Sequence, residues 1–88
     1  MIFITDVHLE AGTEHKHITL LKWTNPASNT KGTTAVADMV KWLNDGGVAK
    51  VRSGNLEVEV RVFKTEPPHV QTYADGIWRD NLLALPRF

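Results

Sequence analysis

The chain has 88 residues, of which 42% are hydrophobic and 23% are charged, so it can form one hydrophobic core but not two. Ten Lys and Arg residues balance ten Asp and Glu residues, and no net positive charge attracts the protein to long nucleic acids or to an anionic membrane. The absence of cysteine excludes disulfides, a thiolate nucleophile and Cys-ligated zinc. We expect a single domain, residues 1–88, that folds in water.

The N-terminus predicts a β-strand rather than a targeting segment. Its apolar run ends at Thr5 and carries no basic residues, whereas a signal peptide needs an apolar stretch of about 7–15 residues after a positive charge. A membrane-spanning helix needs about 20 apolar residues. We therefore expect a cytoplasmic protein that makes no membrane contact.

The first two strands are predicted at residues 2–9 and 17–24, because both segments are rich in β-branched and aromatic residues. The intervening segment Ala11–Glu14 has turn chemistry and predicts a hairpin. Centring the hairpin on that turn pairs Phe3 with Lys22 and His8 with His17. The polar segment Thr24–Thr33 is predicted as a loop.

The helix is predicted to begin near Thr34 and to end at Asn44–Gly47. Apolar residues recur there at helical spacing and form one stripe. The stripe consists of Val36, Met39, Val40 and Leu43. Thr33 or Thr34 is the predicted N-cap, and the glycines are suited to the C-terminal cap.

Three more strands are predicted after the helix, at residues 48–52, 56–64 and 69–73. The second of them alternates core-facing residues with Glu57, Glu59 and Arg61, which indicates one solvent-facing side. Thr65–Pro68 is a connection, because proline lacks a donor for strand pairing. We therefore predict an α+β fold of two layers, with one antiparallel sheet in the order ββαβββ and a single helix on one face.

The C-terminal segment is predicted to dock onto the domain rather than to extend into solvent. It carries six large apolar side chains that would otherwise be exposed, at Ile77, Trp78, Leu82, Leu83, Leu85 and Phe88. Asp80 or Asn81 can cap a short helical turn that ends before Pro86. The preceding Asp75-Gly76 pair predicts a tight turn.

These C-terminal residues also carry a family resemblance. Tyr73-Ala74-Asp75-Gly76, the run Asp80–Leu83 and the ending Leu85-Pro86, with His17-Ile18 and Trp23 in an early strand, give an ending of the form DG-x-W-x-DNLL-x-LP. In this the chain resembles a small family of bacterial and phage domains of unknown function. The resemblance implies a compact domain of this size and implies no activity.

Few residues in the sequence are arranged for catalysis. Under the predicted hairpin, His8 and His17 oppose each other with Asp6 nearby on the same face, which are suitable ligands for a transition metal ion. However, no compact motif such as H-E-x-x-H fixes their spacing, so we assign neither a metal nor a cofactor. Ser28 and Ser53 are typical turn residues. A small metal-dependent or nucleotide-processing enzyme is retained as the alternative function.

The predicted binding residues are Trp78, Arg79, Asp80 and Asn81, together with Tyr73. An aromatic ring in this group can stack on a ligand, Arg79 can meet an anionic group, and Asp80-Asn81 can hold the backbone or donate hydrogen bonds. We therefore predict a non-catalytic binding or interaction module that recognises a small molecule or nucleotide. Exposed sheet edges beside Phe63 and the C-terminal segment favour a homo-oligomer, and an oligomer that sequesters a small nucleotide is a further alternative.

Overall fold

A computed structural model describes all of residues 1–88 and contains seven strands, one α-helix and one short 3₁₀ turn. The strands are β1 (Ile2–Leu9), β2 (Ile18–Asn25), β3 (Thr30–Ala35), β4 (Ala49–Ser53), β5 (Leu56–Phe63), β6 (His69–Ala74) and β7 (Ile77–Arg79). The helix is α1 (Val36–Asn44), and the 3₁₀ turn spans His15–His17. None of these helices has the length and apolar character needed to span a bilayer.

All seven strands form a single mixed sheet in the order β3-β2-β1-β4-β5-β6-β7. Every neighbouring pair is antiparallel except β1 and β4, which are parallel. The prediction of one antiparallel ββαβββ sheet is therefore wrong. Residues 30–35, predicted to lie mostly in a loop, form β3, so α1 connects two strands that run in the same direction and β4 returns beside β1.

The predicted register of the first hairpin is also wrong. Phe3 pairs with Thr24 rather than with Lys22, and His8 pairs with Leu20 rather than with His17. The 3₁₀ turn takes His17 out of the strand and lengthens the connection, and irregularities at two points along β1 shift the pairing further. Because side chains alternate along a strand, such shifts decide which residues face the core.

The helix lies close to its predicted position. Met39 and Val40 are buried, and the partly buried Val36 and Leu43 pack against the same core. The predicted threonine N-cap is wrong, because Thr33 and Thr34 belong to β3 and the N-cap position is held by Ala35 without a side-chain hydrogen bond. The helix is therefore held mainly by burial of its apolar stripe.

The two faces of the sheet differ sharply in composition. The face that packs against α1 carries the hydrophobic core, whose most buried members include Val7, Leu21, Val51 and Val70. The opposite face, which we call the outer face, does not carry α1. Register pairing places one residue from each strand in a row across this outer face, in the order Lys31, Thr24, Phe3, Lys50, Glu59, Tyr73, Trp78.

The C-terminal segment after β7 is an integral part of the fold. Leu82 is fully buried within the hydrophobic core. The Val7 N–H donates to the Pro86 carbonyl at 3.0 Å, and the Phe88 N–H donates to the Val7 carbonyl at 3.2 Å. The chain thus returns from the β7 edge to the central strand β1.

Truncation of Leu82 is expected to destabilise the domain strongly. Leu82→Ala should lower the free energy of unfolding by about 2–5 kcal/mol, because it removes buried surface and leaves a cavity. The matched control is Leu56→Ala, since Leu56 is 69% exposed and should lose little stability. Chemical denaturation of both variants measures the difference, and equal losses would contradict the buried position of Leu82.

Candidate functional site

Four aromatic rings form a continuous cluster on the outer face of β5, β6 and β7. We call the rings of Phe63, His69, Tyr73 and Trp78 the aromatic patch. Phe63 stacks on His69 at 4.9 Å between ring centroids and meets Trp78 edge-on at 4.8 Å. Trp78 also meets Tyr73 edge-on at 5.0 Å. Such separations and orientations are favourable for aromatic pairs.

Strand register brings these rings together. Phe63 pairs with His69 across β5 and β6, and Tyr73 pairs with Trp78 across β6 and β7. The second pairing depends on the turn at Asp75 and Gly76, whose φ angles are 54° and 77°. Positive φ at both positions is typical of the two-residue hairpin turn that matches strand twist. The Asp75-Gly76 turn predicted from the sequence is therefore confirmed.

A paired cation borders the patch. The Arg61 guanidinium lies 4.3 Å from the Tyr73 ring centroid, and its Nε lies 3.2 Å from a carboxylate oxygen of Glu59. The guanidinium thus covers one side of Tyr73, while Trp78 covers another. Because its charge is already neutralised by Glu59, Arg61 contributes planar surface rather than net positive charge.

Exposure is greatest at the β7 end of the patch. Trp78 is 38% exposed, and Ile77 on the other side of β7 is 55% exposed. Phe63, His69 and Tyr73 are half-buried. A ligand arriving on the outer face would therefore meet the Trp78 indole first.

The remaining predicted site residues lie around β7 rather than within the patch. Arg79 pairs with Thr72, so strand alternation directs its side chain to the face opposite Trp78. The Asn81 N–H donates to the buried Thr72 hydroxyl at 3.2 Å, and that hydroxyl lies 3.1 Å from the Asn81 amide oxygen. Asn81 therefore anchors the C-terminal segment. Its involvement in binding, and that of Arg79, stays a prediction.

His15 lies between the patch and Asp80. Its ring stacks near His69 at 6.2 Å, and its Nε2 lies 3.9 Å from a carboxylate oxygen of Asp80. That nitrogen is buried and has no hydrogen-bond partner. Burial lowers the pKa of His15 below its ordinary value; Asp80 acts in the opposite direction and His69 lowers it further.

The residues considered for a metal site are not brought together. The His17 ring accepts a hydrogen bond from the Glu14 N–H at 3.0 Å. The His8 Nδ1 contacts the main-chain oxygen of Phe88, and the His8 Nε2 lies 3.3 Å from a carboxylate oxygen of Glu10. Asp6 pairs with Lys22. No group of three or more potential protein ligands occurs anywhere in the structure. The predicted opposition of His8 and His17 failed because it depended on the wrong register.

Sequence reasoning missed His69, His15 and Arg61 as members of this region. The available signal was Phe63, which occupies the polar parity of β5 alongside Glu59 and Arg61. An aromatic residue at a solvent-facing position indicates a surface that something covers. Identifying its neighbours required the register of β6, which local patterning does not fix.

The stability of the protein should depend on the ionisation of His15. Because the pKa of His15 is lowered in the folded state, the unfolded chain binds the proton more readily. The free energy of unfolding should therefore be highest above about pH 6.5 and should decrease as the pH falls towards the folded-state pKa. His15→Gln should flatten this part of the pH dependence. Urea denaturation of both proteins between about pH 7.5 and 5 measures it, and an unchanged slope would contradict the assignment.

Comparison with known proteins identifies a family for this chain. Residues 3–86 match the profile of a family described as a protein of unknown function, DUF3892. Neither the curated proteins nor the solved structures contain a significant match. Because the matched region takes in nearly the whole chain, from the second residue of β1 to Pro86, the chain belongs to the DUF3892 family.

Proposed function

We propose that the protein is a non-catalytic binding module whose aromatic patch receives a flat aromatic group of its ligand. The observation that supports this is the unbroken contact of four rings on the sheet face that α1 does not cover. Aromatic side chains displayed on an open sheet provide stacking surface for planar groups such as nucleobases.

The packing within the patch favours recognition because it holds the rings in place before a ligand arrives. Trp78 contacts both Phe63 and Tyr73, and the Arg61 guanidinium also lies against Tyr73. Fewer rotamers are then lost on binding, which lowers the entropic cost. The exposed part of Trp78 is the surface on which an incoming ring can stack.

The charges beside the patch favour a short ligand over an extended nucleic acid. Two basic groups near it are already paired, Arg61 with Glu59 at 3.2 Å and Lys50 with Glu57 at 3.6 Å. A binding site for a long strand needs a continuous row of free positive charge. Because these basic groups are already paired, stacking is the main source of affinity for the ligand, and one or two rings of the patch would contact it.

Arg79 and Asp80 are proposed to act at the margin of this surface. Arg79 forms no ion pair and is exposed on the edge strand β7. Its side chain lies on the face opposite Trp78, so it would reach an anionic group of the ligand around that edge. Asp80 lies beside His15, whose ring stacks near His69, so the Asp80 carboxylate is near the His69 end of the patch. Asn81 supports both residues through its contact with Thr72.

Binding is expected to weaken when the Trp78 ring is removed. With adenosine 5′-monophosphate and a thymidine tetranucleotide as probes, Trp78→Ala should raise Kd by about tenfold, since stacking on one ring contributes about 1–3 kcal/mol. Trp42→Ala is the control, because Trp42 is also 38% exposed but lies on α1. Indole N–H chemical shifts of ¹⁵N-labelled protein report which tryptophan each probe contacts.

The proposal fails if neither probe shifts the Trp78 indole signal. It also fails if the folded Trp78→Ala variant binds as tightly as the Trp42→Ala control. Thermal unfolding of each variant establishes that it is folded before binding is compared.

Self-association through the β7 edge is a second candidate function, compatible with a small binding module. β7 is the last strand of the sheet and pairs on one side only. Ile77 and Trp78 add exposed apolar surface beside its unpaired backbone groups. The other edge, β3, is polar and carries Lys31, which is typical of an edge that resists pairing.

Substitution of Ile77 by lysine is expected to shift such an oligomer towards monomer. A charge on the edge strand opposes pairing with a second copy, whereas Leu56→Lys, at another exposed leucine, should leave the oligomeric state unchanged. Sedimentation velocity across a concentration series compares both with the unmodified protein. A monomer at all concentrations of the unmodified protein would refute self-association.

A further inference from the structure

A second cleft lies on the side of the sheet that carries the helix, between Trp23 of β2 and Trp42 of α1. We propose that this cleft binds a small organic cation of the alkylated ammonium class. Two indole rings, each packed on a glycine, and one carboxylate, Asp38, that makes no ion pair support this assignment. None of these residues belongs to the aromatic patch.

Trp23 is held by β3. Its indole N–H donates a hydrogen bond to the Thr34 hydroxyl at 2.8 Å. Gly32, its register partner, lies directly beneath the ring, because a Cβ there would come within 2.5 Å of the indole carbons. Since its N–H is already engaged, the ring offers its aromatic surface to the cleft rather than a hydrogen-bond donor.

Trp42 is held in a similar way at the end of α1. Gly47 lies beneath its indole, where a Cβ would come within 2.3 Å of the ring, and the Gly47 N–H donates to the Trp42 carbonyl at 2.9 Å. The indole is still 38% exposed. Both rings are thus positioned by glycines, which lowers the cost of organising them around a ligand.

The cleft between the rings has a volume of about 410 Å³, which suits a small molecule. Its lining consists of Ile2, Trp23, Asn25, Thr34, Asp38, Met39 and Trp42. Ile2 and Met39 are buried and give the cleft an apolar base. Asp38 supplies the only charge among the lining residues.

This combination favours a cation with an apolar surface. Indole rings attract cations through the negative electrostatic potential of their faces, and tryptophan is the strongest aromatic partner for quaternary ammonium groups. The negative charge of Asp38 also attracts a cation, and the lining contains no basic residue that would repel it. An anionic ligand would meet the repulsion of Asp38, and a neutral ligand would lack the charge–charge attraction.

Choline and its neutral isostere 3,3-dimethylbutan-1-ol provide a direct test, because they share a shape and differ in charge. We expect choline to shift the indole N–H signals of Trp23 and Trp42 and to leave that of Trp78 unchanged. The neutral alcohol should bind at least about fivefold more weakly. Equal affinities for the two compounds, or no shift of either cleft indole with choline, would overturn the proposal.

Two variants separate the charge from the rings. Asp38→Asn should weaken choline binding by about fivefold, whereas Asp45→Asn, on an exposed residue that follows the same helix and does not line the cleft, should not change it. Trp42→Leu should weaken it by about tenfold. If Asp38→Asn and Trp42→Leu are both folded and bind choline as tightly as the unmodified protein does, the cleft is not the cation site.

Discussion

The docking of the C-terminal segment onto the sheet is the constraint on which the rest of the structure depends. Leu82 fills part of the core, and the backbone of Val7 pairs with residues on either side of Arg87. Thr72 and Asn81 satisfy each other's polar groups where the segment leaves β7. Because β7 has only three residues and one neighbouring strand, this anchoring fixes the edge that carries Trp78.

The two faces of the sheet differ in what covers them. α1 and Leu82 cover the apolar side, whereas the aromatic patch lies on the outer face. The patch and the cleft differ in charge, although each contains tryptophan. The patch is bordered by an arginine already paired with Glu59, whereas the cleft contains the unpaired carboxylate of Asp38. The two proposals therefore assign different ligand classes to the patch and to the cleft.

Sequence patterning predicted the elements whose signals are local. Val58, Val60 and Val62 alternate with charged residues, and β5 was placed to within one residue of its end. The apolar stripe of α1 and the Asp75-Gly76 turn were also predicted from local sequence signals. β3 was missed because an edge strand with one neighbour needs few apolar residues, and its sequence TKGTTA is typical of a loop. β7 was not predicted, because the apolar residues of its segment indicated docking onto the domain and gave no signal for strand pairing.

By itself, the sequence determined that this is one domain with a strand-rich body, a single amphipathic helix and a C-terminal segment too apolar to remain in solvent. These features follow from period, turn chemistry and hydrophobicity, which act between residues near one another in the chain. Only the tertiary structure decided the parallel pairing of β1 with β4, the register of the first hairpin and the meeting of His15, Phe63 and His69. Those outcomes depend on contacts between distant segments, whose energies no local pattern encodes.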